Sequence, residues 1–326
     1  MINDKEFLKF EDGFFKPYFE KFIEFKRGKG EKVAHSTMNR LKKLNNSLNC
    51  YHVNHISEQM IEDLLAPREG LSESERQYMT SNLRQFCFFL TILGIDVAVV
   101  SPKYMRTARS VFRPYIFSED ELYRLANVAD TLPAARRSNN HLQIYPVLVR
   151  LLIGTGMRIG EVLALNRGDV DVSNGVINVI NGKNGVSRYI PVSDSLKKVL
   201  RCYSETIDMS DSNKPFFTSP YTGGHLTYSA MKYMFPMMFR AAGIHMADGK
   251  TPNIHSIRHT FCTKSLEKML SGGMDVYTAI PILAAYVGHV NYMDTEKYIH
   301  FTEQGHEDFV KKEASLGNVF PEVNNE

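Results

Sequence analysis

A tyrosine hydroxyl becomes a covalent nucleophile when one neighbour handles its proton and others hold the charge that develops on the substrate. The stretch Tyr286-Val-Gly-His-Val-Asn-Tyr-Met-Asp-Thr-Glu-Lys-Tyr-Ile-His300 has residue types suited to that work. His289 directly follows a glycine, and Tyr298 comes nine residues later. The pattern predicts that Tyr286 and Val287 finish an apolar helix and that Gly288 stops it. Asp294 or Thr295 then caps a new helix, which carries Tyr298 in its first turn. His289 lies in the connection and faces the same cleft. On this stretch alone, an ordinary helix–turn–helix with a surface tyrosine accounts for the pattern at least as well.

Other residues widen the choice. Arg158 follows Gly154-Thr-Gly156 and opens a helix, with Glu161 three residues on. A cation at a helix N-terminus is on the unfavourable end of the dipole. Its place there suits an anion such as a phosphate, although a simple Arg158–Glu161 surface pair explains it equally. Lys183 sits at a hairpin tip, where most lysines are merely solvated. In Thr251-Pro-Asn-Ile-His-Ser-Ile-Arg-His-Thr-Phe261, His255 and Arg258 share a helical face at i,i+3. His255 and His259 have the i,i+4 spacing of a metal pair, but Ser256 stands where HExxH needs Glu, and Arg258 would place a fixed cation beside the metal.

These residues need elements to hold them. Residues 1–100 read as helical. Phe14, Phe15, Tyr18, Phe19, Phe22, Ile23 and Phe25 recur at roughly helical spacing, and Ser57 and Ser72 are N-cap candidates further on. The aromatics suit a core better than stacking platforms. Pro102 and Pro114 bracket an exposed connector, and Ser118 with Glu121 forms a capping box that opens a new domain. Val170–Val172, Val176–Ile180 and Val186–Val192 are β-branched runs separated by Asn-Gly turns, a strong hairpin signal. Further helices are expected at Tyr145–Leu152, Arg158–Leu165, Leu196–Thr206 and Tyr228–Ala242. The expected fold is mainly α with a small antiparallel β-sheet. Residues 1–112 form a helical domain with its connector, and residues 113–326 an α+β domain.

At 326 residues and 43% hydrophobic, the chain can bury the cores of two domains. The net charge of +3 predicts no partner, but its placement does. Residues 16–43, with Lys42 and Lys43 among them, hold nine Lys/Arg against three Glu. Residues 101–113 hold Lys103, Arg106, Arg109 and Arg113 with no acid. Two basic stripes in a near-neutral chain suggest an anionic partner; solvated helix faces are the plainer alternative. The four cysteines show no CxxC spacing, which fits a reducing cytosol and argues against a zinc ribbon or disulfide framework. The acidic N-terminus offers no signal peptide, and the apolar run Phe86–Ile95 is far short of the ~20 residues that span a bilayer.

Arg158, Lys183, His255, Arg258, His289 and Tyr298 occur in an order that resembles the tyrosine recombinase/integrase family of phage integrases and Xer-type recombinases. The likeness covers about residues 117–302. Gly156-Met-Arg-Ile-Gly-Glu161 resembles the first-arginine box, and Lys183 sits in the β-hairpin where the family keeps a lysine. His255-Ser-Ile-Arg-His-Thr-Phe261 resembles the HxxR box, and Gly288-His289 with Tyr298-Ile-His300 the nucleophile box. Each motif alone is weak; four in order are specific. The segment from Phe261 to Tyr286 looks longer than in compact members. No arm-binding domain is expected ahead of the helical one, so neither is a lambda-type arm-site mechanism.

The resemblance implies a site-specific recombinase in which Tyr298 attacks DNA and leaves a 3′-phosphotyrosine, without metal, ATP or other cofactor. Arg158 and Arg258 would clamp the phosphate, His289 would donate to it, and His255 would take the tyrosine's proton unless the Arg/His cluster favours the phenolate directly. Lys183 would protonate the leaving 5′-oxygen, and Glu161 would orient Arg158. The partners implied are double-stranded DNA with a specific recombination site, touched by Lys42, Lys43, Lys103, Arg106 and Arg109, and a homo-tetramer assembled on it. Residues 303–326 would dock on a neighbouring protomer. The setting implied is a mobile genetic element or chromosome in the prokaryotic cytosol, with no membrane. A type IB topoisomerase, a telomere resolvase or a catalytically inactive DNA-binding relative are the alternatives.

Overall fold

The computed structural model describes residues 9–31, 33, 35–105, 114–132, 141–180, 187–289, 293–296, 298 and 299. Arg106, Arg109, Lys183 and the tail at 303–326 lie outside them. The chain divides into two compact units, Met1–Phe112 and Arg113–Glu326.

The first unit is helical: α1 Lys16–Gly28, α2 His35–Asn49, α3 Glu58–Leu65 and α4 Glu73–Ile92. Ser57 and Ser72 cap α3 and α4, each hydroxyl accepting a backbone N–H in the first turn. The aromatics build the core. The rings of Phe19 and Phe86 stack at 3.8 Å, with Phe15 and Phe22 set edge-on against Phe86. The helical spacing placed these rings on one face, and burial of that face against α4 drives α1 to fold.

The second unit opens with Ser118, whose hydroxyl accepts from the Glu121 backbone while the Glu121 carboxylate accepts from the Ser118 N–H. This capping box starts α5 Glu119–Asp130. Next comes α6 His141–Thr155, whose Leu148, Val149 and Leu151 are fully buried. A helix apolar all round belongs at the centre of its domain, and α6 packs on α5, on α8 Asp194–Ser204 and on α10 His255–Ser271. The helix runs three residues past the expected end at Leu152, through Gly154 to Thr155, with Leu196 close against that glycine. α7 is short, Ile159–Leu163, with Arg158 as its N-cap.

The β-sheet has three antiparallel strands in the order β1 Val170–Asp171, β2 Val176–Val179, β3 Arg188–Pro191. Ile177 pairs with Val170 on one side and Ile190 on the other. The remaining helices are α9 Tyr228–Ala241, α11 Val276–Val287 and α12 Met293–Glu296. Asp275 caps α11. Thr295 lies inside α12 rather than capping it, and Tyr298 follows the helix, its N–H donating to the Thr295 carbonyl at 2.9 Å. The cap expectation fails because the Thr295 side chain is fully buried and engaged elsewhere.

The turn between α6 and α7 carries a local constraint. Gly156 has φ +60, and a Cβ there would lie 2.3 Å from the Phe261 ring. Gly160, inside α7, faces open space. Gly156→Ala should therefore lower unfolding stability by about 1–3 kcal/mol, from left-handed strain and overpacking. Gly160→Ala should raise it by about 0.5–1 kcal/mol, because a helical glycine loses more chain entropy than alanine. Urea unfolding of both variants checks this, and shifts of the same sign would contradict it.

Candidate active site

α11 ends at Gly288, whose left-handed backbone (φ 68, ψ 50) lets the chain turn away. The carbonyls of the last turn form the negative end of the helix dipole, which attracts cations. Three arginines from three different elements meet there. Arg188 at the start of β3 donates Nε–H to the Tyr286 carbonyl at 2.8 Å. Arg258 in α10 donates Nη2–H to the Val287 carbonyl at 2.6 Å. Arg158, capping α7, donates Nη2–H to the Gly288 carbonyl at 3.1 Å. Arg258 also reaches the Gly156 carbonyl at 2.8 Å, tying the turn before α7 into the cluster. The Arg188 guanidinium lies flat against Gly288, where a Cβ would come within 2.7 Å of it.

One carboxylate balances this group. Glu161 accepts from Arg158 Nη1 at 2.9 Å, from Arg188 Nη2 at 2.8 Å and from the Arg158 backbone at 3.1 Å. Its side chain is 6% exposed, so this is no surface pair. Burial opposes its ionisation, but the bonds and charge of Arg188, then of Arg158, outweigh that and hold the carboxyl below the usual range. Arg258 is 2% exposed. Burial first, and the like charge of Arg158 second, push its pKa down to about 10. Its Nε is buried with no hydrogen-bond partner among the described residues.

Tyr298 is 1% exposed, packed with Cys262, Leu266, Leu283 and Val287. Its hydroxyl lies 2.8 Å from His259 Nδ1. Burial raises its pKa well above the ordinary tyrosine value; Cys262 adds to this, and Arg258 and Arg158 act in the opposite sense. His289 bonds Thr295 Oγ1 through Nδ1 at 2.7 Å, and its ring lies parallel to the Tyr298 ring, 6.5 Å away. The buried threonine thereby fixes the histidine beside the tyrosine. His255 starts α10, its backbone N–H donating to Asn253 Oδ1, and its exposed ring stands edge-on to His259 at 4.8 Å.

Of the residues chosen from sequence, Arg158, Glu161, Arg258, His289 and Tyr298 come together, and His255 stands at the edge of the group. Among the proposed DNA contacts, Lys43 is exposed and Lys42 half-buried on α2, while Lys103 Nζ pairs with Glu62 at 3.1 Å. Two members were missed. Arg188 lies two residues before the buried Ile190, so strand alternation points it inward, and an inward arginine calls for an acid. His259 shares a helical face with His255, but that spacing was weighed only for a metal. Among the described residues no three or more His, Cys, Asp or Glu stand together as metal ligands, and no helix is long and apolar enough to cross a membrane.

Removing the shared carboxylate should leave the largely buried Arg188 and the half-buried Arg158 uncompensated. Glu161→Gln should cost about 3–5 kcal/mol, the range for breaking one side of a buried ion pair. Because the folded-state pKa is depressed, the charged carboxylate's stabilisation is fully present above the ordinary glutamate value of 4.5 and is lost as pH falls through the lower folded value. Denaturation curves for the two proteins should therefore converge as the pH drops below 4.5. A gap that stayed constant with pH would rule out this charge role.

Residues 116–304 match the phage integrase family. The putative integrase/recombinase y4rE of Sinorhizobium fredii (strain NBRC 101917 / NGR234) is 30% identical over 224 residues, 67% of this chain and 69% of that protein. The tyrosine recombinase XerD of Rhizobium meliloti (strain 1021) is 26% identical over 76% of each chain. In fold, the chain is similar to the XerH site-specific recombinase bound to palindromic difH substrate, with a TM-score of 0.64 at 18% identity over 84% of this chain and 78% of the other. It is also similar to a lambda integrase (75–356) dimer bound to a COC′ core site, with a TM-score of 0.63 at 16% identity over 86% and 94%. With its ordered motifs gathered at one helix end and its match running from residue 116 to residue 304, the chain belongs to the phage integrase family and is a tyrosine-type site-specific recombinase.

Proposed function

We propose that the protein cuts and rejoins DNA strands through a phosphotyrosine at Tyr298. The observation that carries this reading is the convergence of Arg158, Arg258, His289 and Tyr298 on the C-terminal turn of α11. A phosphodiester repels nucleophiles, and its transition state gathers charge on the non-bridging oxygens. Arg158 and Arg258 supply permanent charge and planar donors for those oxygens, and His289 adds a third donor. Such preorganised stabilisation is often the largest catalytic contribution. Glu161 keeps Arg158 in place. Tyr298 gives up its hydroxyl proton to a histidine and bonds to phosphorus, and the 5′-oxygen leaves, taking a proton from Lys183. The covalent link conserves bond energy, so rejoining needs no ATP, and the arginine cluster does the charge work with no metal ion in the scheme.

In this reading the substrate is duplex DNA with a specific site. Residues 1–112 bind it through the basic faces of Lys42, Lys43 and Lys103 and through Arg106 and Arg109, and residues 113–326 hold the chemistry. Two sites are joined by four protomers, with the apolar-spotted tail at 303–326 reaching a neighbour. The protein works in the bacterial cytosol.

The site sequence can be recovered from DNA trapped covalently on the protein in cells. Nicked duplexes carrying it should then give a denaturant-resistant adduct. Tyr298→Phe should abolish the adduct while keeping DNA affinity; adduct of undiminished yield would overturn the assignment. Lys183→Ala should slow cleavage by about 10²–10⁴-fold, the range for general acid catalysis. A 5′-bridging sulfur, whose leaving group needs no proton, should restore that variant but not Arg158→Ala. Equal rescue of both, or of neither, would remove Lys183 from the acid role.

A further inference from the structure

We propose that His259, and not His255, is the group that takes the proton from Tyr298. This rests on the reading of Tyr298 as the nucleophile. His259 Nδ1 lies 2.8 Å from the tyrosine hydroxyl, and both side chains are buried, at 4% and 1% exposure. With Nδ1 unprotonated, the imidazole accepts the O–H. In the attack, the tyrosine oxygen forms its bond to phosphorus, the P–O5′ bond breaks, and the hydroxyl proton passes to Nδ1. The leaving oxygen is protonated separately, so the count of protons and electrons closes. The tyrosine needs such an acceptor, because burial raises its pKa and it does not ionise unaided.

The neighbouring groups suit other tasks. His289 is turned to Thr295 through Nδ1, and its ring lies parallel to the tyrosine ring, 6.5 Å away. His255 is exposed and stands edge-on behind His259, with ring centroids 4.8 Å apart, while the His259 and Tyr298 centroids are 5.7 Å apart. The row Tyr298, His259, His255 leads from the buried hydroxyl to the surface, so the exposed histidine suits passing the proton on to solvent.

A phosphate must still reach the tyrosine, and Arg258 is as buried as Tyr298. A phosphate that reaches Arg258 comes near the hydroxyl that His259 bonds, because that hydroxyl already feels the charge of Arg258 and Arg158. The charge that His259 acquires then faces an anionic phosphorane rather than only Arg258.

The test uses the full-length protein and nicked duplexes of the recovered site, made with oxygen or sulfur at the 5′-bridging position. His259→Ala should slow cleavage by about 10²–10⁴-fold without lowering DNA affinity. The sulfur substrate should not rescue it, because the missing step is on the tyrosine side. His259→Asn places an amide near the Nδ1 position, which can hydrogen-bond the tyrosine but cannot take its proton. It should be as slow as the alanine variant even if alanine perturbs folding. Near-normal cleavage by the asparagine variant would overturn the proposal, since a hydrogen bond alone would then suffice. Cleavage by the alanine variant as fast as, or faster than, the unaltered protein would also overturn it, leaving His259 as a holder of the resting tyrosine. If the unaltered protein forms no adduct, or Tyr298→Phe forms one, it is the nucleophile assignment that fails instead.

Discussion

Three guanidiniums on three consecutive carbonyls, Tyr286, Val287 and Gly288, fix the geometry on which the rest of the second unit's candidate site depends. The arginines come from β3, α10 and the cap of α7, so one helix end gathers three parts of the fold. The attraction has an ordinary source in the unsatisfied carbonyls at a helix C-terminus. Gly288 is what allows it. Its left-handed backbone exposes the carbonyls, and its missing Cβ leaves room for the Arg188 guanidinium. Any other residue there meets both the conformational penalty and the clash.

From this joint the neighbouring groups take their positions. His289 is the next residue after the turn, and its N–H donates back to the Ala284 carbonyl at 2.9 Å, so the histidine inherits the helix end's rigidity. Glu161 links Arg158 to Arg188, and thereby couples α7 to the strand that follows residues 181–186. A displacement of β3 would act on Arg158 through a single carboxylate.

Much of this was legible in the sequence because the signals were local. Ser57, Ser72 and Ser118 announce their helices by capping chemistry acting within four residues, and the Asn-Gly turns between β-branched runs announce the sheet. The ordered motifs picked out Arg158, Arg258, His289 and Tyr298. What could not be read was which side chain faces which across the fold. Tyr298 and His259 are 39 residues apart in sequence, and no periodicity connects α10 with the turn after α12. Motif position points to His255, whereas the contact with the Tyr298 hydroxyl, which packing decides, is made by His259. Thr295 misled for a related reason: a threonine ahead of a short helix resembles a cap, but here its hydroxyl is used by His289.

The choice of partners also sets the charge available for chemistry. Had each arginine been held by its own carboxylate, the cluster would be neutral and a phosphodiester would gain little by entering. Neutral carbonyls do most of the holding instead. Arg158 and Arg188 share one carboxylate, Glu161, while Arg258 bonds only carbonyls among the described residues, so positive charge remains in excess at the helix end. That excess is costly, and the depressed pKa of Arg258 records it: burial and the nearby Arg158 both disfavour its charged form. In the proposed reaction an arriving phosphate would relieve the repulsion, and the transition state, with more charge on the same oxygens, would relieve it further. Interactions that strengthen towards the transition state are the ones that accelerate a reaction. The same carbonyl contacts that give the cluster its shape thus leave much of its positive charge without a carboxylate partner among the described residues.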